Sequence, residues 1–279
     1  MEIQARAKIN WTLDVVGRRA DGYHLLDMLM QPLSLCDTLL IEPAEGLSLQ
    51  IEGMDGLSAA EDNLILRAAK ALREAAGVTV GASIRLTKRI PMGAGLGGGS
   101  ADCASALKGL NDFWQTGFNL EKLCGLGVGL GADVPFCLHD APRRAQGIGE
   151  ILSPIQSHVF PLVLVQPCKA LSTKEVFSAY HQSAIVPPDT EKATLALAAS
   201  DLRALKACAG NVLESASIPL RPQIAEAKEA LYENGAAFAQ MTGSGSVVFG
   251  AFETDEAADR AFHSLKSRYP VCIRTQTAL

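Results

Sequence analysis

"PMGAGLGGGSAD", residues 91–102, carries five glycines in twelve positions. Glycine loses more conformational freedom on folding than any other residue, so a cluster of it marks backbone that something must approach closely. The stretch follows "ASIRLTKRIP", which reads as a strand. It opens "SADCASALKGLNDFW", a helix with Ala104, Leu107, Leu110 and Trp114 on one side. Strand, proline, glycines, serine, helix is a layout suited to phosphate. A helix N-terminus presents unpaired N–H groups and the positive end of the helix dipole. Bare backbone lets a polyphosphate lie against both. Two readings compete for the Ser100 hydroxyl: a cap for the helix, or a ligand for Mg2+.

Other phosphate loops fit less well. A P-loop needs lysine before its Ser or Thr, and Gly99 occupies that position. "GAGLGG" matches a dinucleotide fingerprint literally. That fingerprint normally follows the first, strongly apolar strand of a fold, whereas here it comes late, after a strand carrying Lys and Arg. A flexible surface loop is the plain alternative, and the position between strand and helix speaks against it.

Around the loop the chain reads as mixed α and β. "AKINWTLDVV" alternates, with Ile9, Trp11, Leu13 and Val15 on one face and Lys8, Asn10, Thr12 and Asp14 on the other, the pattern of a half-buried strand. "GRRADGYH" is a loop with an Asp-Gly turn. "DTLLIEP" and "LSLQIEG" read as strands. "EDNLILRAAKALREAAG" reads as a helix with an acidic start and Gly77 as its stop. "NLEKLCGLGVGLG" is a shorter helix, and "GADVPF" holds Asp133 in a turn before Pro135. Further on, "PLVLVQP", "AFAQM", "SVVFGAF" and "VCIRT" read as strands, and "STKEVFSAY" starts a helix. More helices are predicted around 195–208, 221–234 and 255–268, after a polar connection over 182–194. The change in character places a domain boundary near 155, giving domains 1–155 and 156–279.

Composition narrows the function. The chain has 279 residues, 48% hydrophobic and 20% charged, with net charge −5, which argues against nucleic acid as a partner. An anionic ligand then needs a local basic patch, for which Arg18, Arg19, Lys88 and Arg89 are candidates. No apolar run is long enough to cross a membrane, and "MEIQARAKIN" lacks the layout of a signal peptide. Seven scattered Cys read as reduced thiols of a cytoplasmic protein. Five dispersed His without a metal-binding spacing argue against zinc.

"PMGAGLGGGSADCASAL" resembles the nucleotide-binding signature of the GHMP kinases, the small-molecule kinases that include galactose, homoserine and mevalonate kinases. "AKINWTLDVVGRRADGYHLLDMLMQPLSLCDTL" and "GADVPFCLHDAPRRAQGIGE" are similar to one branch of that family, which phosphorylates a cytidyl-capped methylerythritol. "EDNLILRAAKAL", "STKEVF" and "TGSGSVVF" follow in the same order, so the resemblance spans nearly the whole chain. Ala101 departs from it where a second Ser is common. Arg143 and Arg144 fall where the branch is less basic.

The resemblance implies an α+β fold with a ribosomal-protein-S5-like N-terminal domain, a ferredoxin-like C-terminal domain and the site in the cleft between them. It implies transfer of the γ-phosphoryl of ATP, with Mg2+, to the 2-hydroxyl of the cytidyl-capped methylerythritol, a step of non-mevalonate isoprenoid precursor synthesis. Pro91, Met92, Gly93, Ala94, Gly95, Leu96, Gly97, Gly98, Gly99, Ser100 and Ala101 would hold the nucleotide phosphates, and Asn63 would lie near the adenine. Asp133 matches the catalytic base and Lys8 its partner. Tyr23 and His24 match the readers of the cytosine, Thr173 and Phe177 close that pocket, Asn10 contacts the acceptor, and Gly243 and Gly245 bring a second turn towards the phosphates. Without the resemblance, Lys8 reads as an exposed strand residue, Asn63 as a helix cap, Tyr23 and His24 as a loop at a domain edge, and Gly243 and Gly245 as a tight hairpin. Two further readings stand beside it: another GHMP kinase acting on a different alcohol, and a nucleotide-binding regulator without chemistry. Oligomeric state is not legible.

Overall fold

The computed structural model describes residues 1–53, 59–60, 62–181 and 186–279. These fall into two compact units, neither contiguous in sequence. One comprises Met1–Ala7, Leu35–Ile90 and Gly97–Asp140, the other Lys8–Ser34, Pro91–Leu96 and Ala141–Leu279. Strands β1 (Glu2–Arg18) and β2 (His24–Ala44) contribute residues to both.

In the first unit, the C-terminal half of β2 runs antiparallel to β4 (Gly81–Thr87), with Ile41 opposite Ile84. β3 (Leu47–Glu52) lies parallel to β4. Helices α1 (Leu64–Ala76), α2 (Gly98–Phe113), α3 (Leu120–Val128) and α4 (Val134–His139) complete it. Leu39, Ile41, Ile65, Leu72, Ile84, Leu107 and Leu110 form its core. α1 forms where the 3.6-residue period predicts it. Asn63 caps its start by accepting from the Ile65 amide, and Gly77 ends it in the left-handed region at φ 65°. The acidic start expected at Glu61 and Asp62 is not part of the helix: Asp62 precedes the Asn63 cap and the first turn holds no acidic residue, while Glu61 lies outside the described residues. Gly109 lets α2 lie close to the sheet, since a Cβ there would come within 2.7 Å of Ile41.

In the second unit, the N-terminal half of β2 pairs with β5 (Arg143–Gly147), which pairs with β6 (Ile151–Pro154). A four-stranded antiparallel sheet has the order β10-β7-β9-β8, from Val271–Gln276, Pro161–Gln166, Val248–Ala251 and Phe238–Met241. The helices are α5 (Thr173–Ala179), α6 (Thr190–Ala198), α7 (Leu202–Cys208), α8 (Glu214–Leu220), α9 (Gln223–Glu233) and α10 (Asp255–Leu265). Trp11 sits at the centre, with ring centroids 5.3 Å from Phe160, 5.3 Å from Phe249 and 5.9 Å from Phe238. Its indole N–H donates to Gln31 Oε1 at 2.8 Å, so no buried donor is wasted.

Three expectations are corrected. β1 is not half-buried over Lys8–Thr12: Lys8 is 4% exposed, Asn10 1% and Thr12 0%, and of the expected polar face only Asp14 is partly open. α4, α8, β5 and β6, of four to seven residues each, were not legible, being too short to show a period. The connection predicted over 182–194 ends earlier, because α6 starts at Thr190; its residues 182–185 lie outside the described ones.

Candidate active site

Residues 91–96 of the glycine loop belong to the second unit and are fixed there by their carbonyls. The Lys8 amide donates to Leu96 O at 2.9 Å, the Val247 amide to Ala94 O at 3.2 Å, and the Thr242 hydroxyl lies 3.3 Å from Gly95 O. Pro91, Ala94 and Leu96 are buried, while Met92 and Gly93 are exposed. Gly95 has φ 79°, and a Cβ there would stand 2.1 Å from Thr242 O. No side chain fits that position.

Gly97, Gly98, Gly99, Ser100 and Ala101 belong to the first unit and open α2. Gly97 is the cap, in the left-handed region at φ 69°, with no side chain capping the helix. Ser100 therefore lies inside the first turn, which removes the capping reading of its hydroxyl. The first intrahelical bond runs from the Ala101 amide to Gly97 O at 2.9 Å. The amides of Gly98, Gly99 and Ser100 precede it and have no intrahelical acceptor. A Cβ on Gly98 would come within 3.0 Å of Lys88 Nζ, so an ammonium lies beneath the first helical residue.

Lys88 is not part of an open basic patch. It is 5% exposed, bonded to Asp37, and 2.7 Å from Asp102 Oδ2. Asp37 also accepts from the Ile90 amide at 2.8 Å, tying the entry of the loop to β2. Burial pushes the Asp102 carboxyl up, to about 7, against the pull of Lys88, and its Oδ1 is buried without a partner. Arg18 and Arg19 serve their own loop, through Gly22 O at 3.1 Å and Asp21 at 2.8 Å respectively.

Lys8 and Asn10 share a face of β1. Lys8 Nζ donates to Asn10 Oδ1 at 2.8 Å, and the same oxygen accepts from the Gly243 amide at 3.1 Å. The Gly245 amide donates to Thr242 O at 3.0 Å. Both glycine amides of the second turn are thus bonded within the protein. Gly243 and Gly245 have φ 57° and 86°, in a six-residue connection rather than a two-residue hairpin.

His24, the first residue of β2, stacks on Phe177 of α5 with centroids 4.9 Å apart at 25°. Tyr180 meets the His24 ring edge-on at 6.5 Å. Burial, then the Arg18 cation, lowers the His24 pKa from 6.5. Thr173 starts α5, and its hydroxyl lies 3.1 Å from that of Ser244, bringing the helix to the 242–245 turn. Tyr23 is 62% exposed.

In the first unit, Asp133 precedes α4 and is half-buried. A Cβ at Gly131, two residues earlier, would lie 3.7 Å from Ser100 Oγ, so the turn carrying Asp133 approaches the start of α2. Asn63 serves as the cap of α1.

Thr242, Ser244 and Tyr180 join these clusters without having been predicted. Only the "TGSG" spacing hinted at the first two, and nothing local marked the third. Arg144 has a structural partner, gripping Asp27 across the sheet through two bonds of 2.8 and 2.7 Å. Arg143 buries its Nε without a partner. Among the described residues, no group of three or more His, Cys, Asp or Glu could hold a metal, and no helix is long and apolar enough to cross a membrane.

Comparison with known proteins shows the family. The GHMP kinases N terminal domain matches residues 63–141 and the GHMP kinases C terminal domain residues 193–271. The 4-diphosphocytidyl-2-C-methyl-D-erythritol kinase of Pelotomaculum thermopropionicum is 46% identical over 263 residues, covering 91% of this chain and 90% of the relative. A crystal structure of 4-(cytidine 5'-diphospho)-2C-methyl-D-erythritol kinase superposes with TM-score 0.87 at 35% identity, covering both chains fully. Homoserine kinase from Cytophaga hutchinsonii shares the fold, with TM-score 0.76 at 18% identity over 100% of this chain and 95% of that one.

Proposed function

This chain belongs to the GHMP kinase family, and from that premise we infer that it phosphorylates 4-diphosphocytidyl-2-C-methyl-D-erythritol with ATP, at the 2-hydroxyl, in non-mevalonate isoprenoid precursor synthesis. The observation that carries the reading is the start of α2. Three amides without intrahelical acceptors follow a left-handed glycine, over a buried lysine, with no side chain competing for them. Such an end suits the phosphates of ATP. The identity of 46% with a kinase of that name supports the choice of acceptor.

Phosphoryl transfer asks the protein chiefly to align its reactants and neutralise charge. In this reading Pro91 to Ala101 hold the nucleotide phosphates and Asn63 borders the adenine. The Asp133 carboxylate accepts the proton of the attacking hydroxyl. The Lys8 ammonium, held by Asn10, stabilises charge on the transferring group. Asn10 Nδ2 donates to Met28 Sδ at 3.4 Å and has one amide hydrogen left for the acceptor, and Gly243 and Gly245 shape the turn beside it. The His24 and Phe177 rings, with Tyr23 and Thr173, take the cytosine end. Mg2+ neutralises phosphate charge when bound, and Ser100, whose hydroxyl is not spent on capping, would hold it with the phosphate oxygens. The boundary at 155 falls between the two matched family segments. The seven free cysteines suit a cytoplasmic protein.

The test is ADP release from ATP and Mg2+ with four alcohols: the cytidyl acceptor, mevalonate, homoserine and galactose. Turnover with the cytidyl acceptor alone is expected. Asp133→Asn should keep ATP affinity and lose at least ~100-fold in kcat. Turnover with a different alcohol would reassign the acceptor, and full activity of Asp133→Asn would remove Asp133 from proton transfer.

A further inference from the structure

We propose that Thr242 is a positioning residue for phosphoryl transfer, whose hydroxyl locks the Lys8–Asn10 pair, the 242–245 turn and the glycine loop into one arrangement. The proposal rests on reading this site as a phosphoryl-transfer site. Thr242 is 0% exposed. Its oxygen accepts from the Asn10 amide at 3.1 Å. Its single proton is shared between Asn10 Oδ1 and Gly95 O, each 3.3 Å away. One hydroxyl thus joins segments up to 232 residues apart in sequence.

The consequence falls on Lys8. A lysine ammonium sits on a flexible stem, so its place is set by the acceptors it meets, and one of these is Asn10 Oδ1 at 2.8 Å. The orientation of the Asn10 carboxamide is set in turn by the Thr242 hydroxyl and the Gly243 amide. The same hydroxyl bonds the carbonyl of Gly95, where the loop passes too close to the 242–245 turn for any Cβ. Without the hydroxyl, the carboxamide keeps the Gly243 amide and the Met28 sulfur but loses one of its anchors, and the ammonium it holds is placed less tightly. Supporting residues of this kind orient the groups that touch the reactants. Lost alignment lowers turnover more than ground-state affinity.

The experiment compares wild type, Thr242→Val and Thr242→Ser by ADP release, with kcat and both KM values expressed per folded molecule. Valine keeps the shape without the hydroxyl, and serine keeps the hydroxyl. The expected result is a fall of ~10- to 100-fold in kcat for Thr242→Val. Both KM values should stay within about threefold, and Thr242→Ser should lie within about threefold of wild type. A kcat for Thr242→Val equal to wild type overturns the proposal. So does a loss explained wholly by a smaller folded fraction, or one that appears as a raised KM for ATP at unchanged kcat. If Thr242→Val does not fold, Thr242→Ala removes the hydroxyl without a methyl against the Asn10 amide and is judged by the same criteria. Failure of the acceptor assignment is read separately, from wild type. If wild type uses another alcohol, the Val-to-wild-type ratio on that alcohol still decides the role of Thr242. Silence of wild type on all four alcohols overturns both.

Discussion

His24 shows how one side chain joins packing to recognition. It is sandwiched against Phe177 and edged by Tyr180, and both burial and Arg18 disfavour its charged form. Near neutral pH it is an imidazole with one donor and one acceptor, which suits the hydrogen-bonding edge of a nucleobase. Protonation turns the acceptor into a second donor. With a folded pKa below 6.5, what the neutral ring contributes is fully present above 6.5 and is lost as pH falls through the folded value. Asp14, whose charge acts on Tyr180, has its own pKa raised by burial and by Asp27. The KM for the cytidyl acceptor is therefore expected to be flat above pH 7 and to climb as pH drops from 6.5, with the KM for ATP unmoved. His24→Ala should raise the acceptor KM at neutral pH and flatten that climb. An unchanged climb in the variant would assign it to Asp14 or another group. The family resemblance singled out "GYH" as a candidate base reader, whereas it singled out neither Tyr180 nor Thr242. Their partners lie far along the chain: Thr242 bonds Asn10 and Gly95, and Tyr180 meets His24, with only the "TGSG" glycines as a local hint of the first.

At the scale of elements, the legible ones repeat a pattern and the illegible ones depend on neighbours. α1 declared itself by period and cap, and the glycine loop by composition. α4 is six residues long with Pro135 in its first turn, and it leaves nothing for periodicity to detect. β1 was misjudged because alternation implied a face in water. Lys8, Asn10 and Thr12 are instead enclosed, and the backbone carbonyls of Asn10 and Trp11 accept from Gln240, 230 and 229 residues away. Two glycines separate the roles such elements play. Gly77 has φ 65° and open space around its would-be Cβ, so Gly77→Ala meets only the left-handed penalty of about 1–2 kcal/mol. Gly95 has φ 79° and a carbonyl 2.1 Å from its would-be Cβ. Gly95→Ala must push the loop off the 242–245 turn, which should cost ~100-fold in kcat. Urea unfolding and steady-state kinetics on both variants test the contrast. Gly77→Ala should lose stability and keep turnover, and a Gly95→Ala enzyme with normal turnover would show that the close approach is dispensable.

At the scale of the molecule, composition and family resemblance indicated two domains, yet the compact units are woven from separated segments. The core of the second unit explains why. Trp11, Leu29, Met30 and Leu33 come from the first thirty-odd residues and are 0% exposed. The aromatic partners of Trp11 are Phe160, Phe238 and Phe249. The last residues also reach back, with the Ala278 amide donating to Pro32 O at 2.8 Å and Thr277 pairing with Leu33. A sequence pattern cannot show this, because alternation says that Trp11 is buried without saying against what. A fragment of residues 1–155 keeps the first unit with its own core, but strips Trp11 of its aromatic partners Phe160, Phe238 and Phe249. Each large apolar side chain so exposed forfeits about 1.5–3 kcal/mol, against a total stability of roughly 5–15 kcal/mol for an ordinary protein. The fragment is therefore expected to leave Trp11 and its apolar neighbours in water, whatever the first unit with its own core does on heating. With Trp114→Phe leaving Trp11 as the sole tryptophan, its emission should be that of an indole in water. Supplying residues 156–279 in trans should shift the emission back to the blue as Trp11 regains its aromatic neighbours. A fragment 1–155 in which Trp11 emits as a buried indole would mean that the early strands find another partner within the first half.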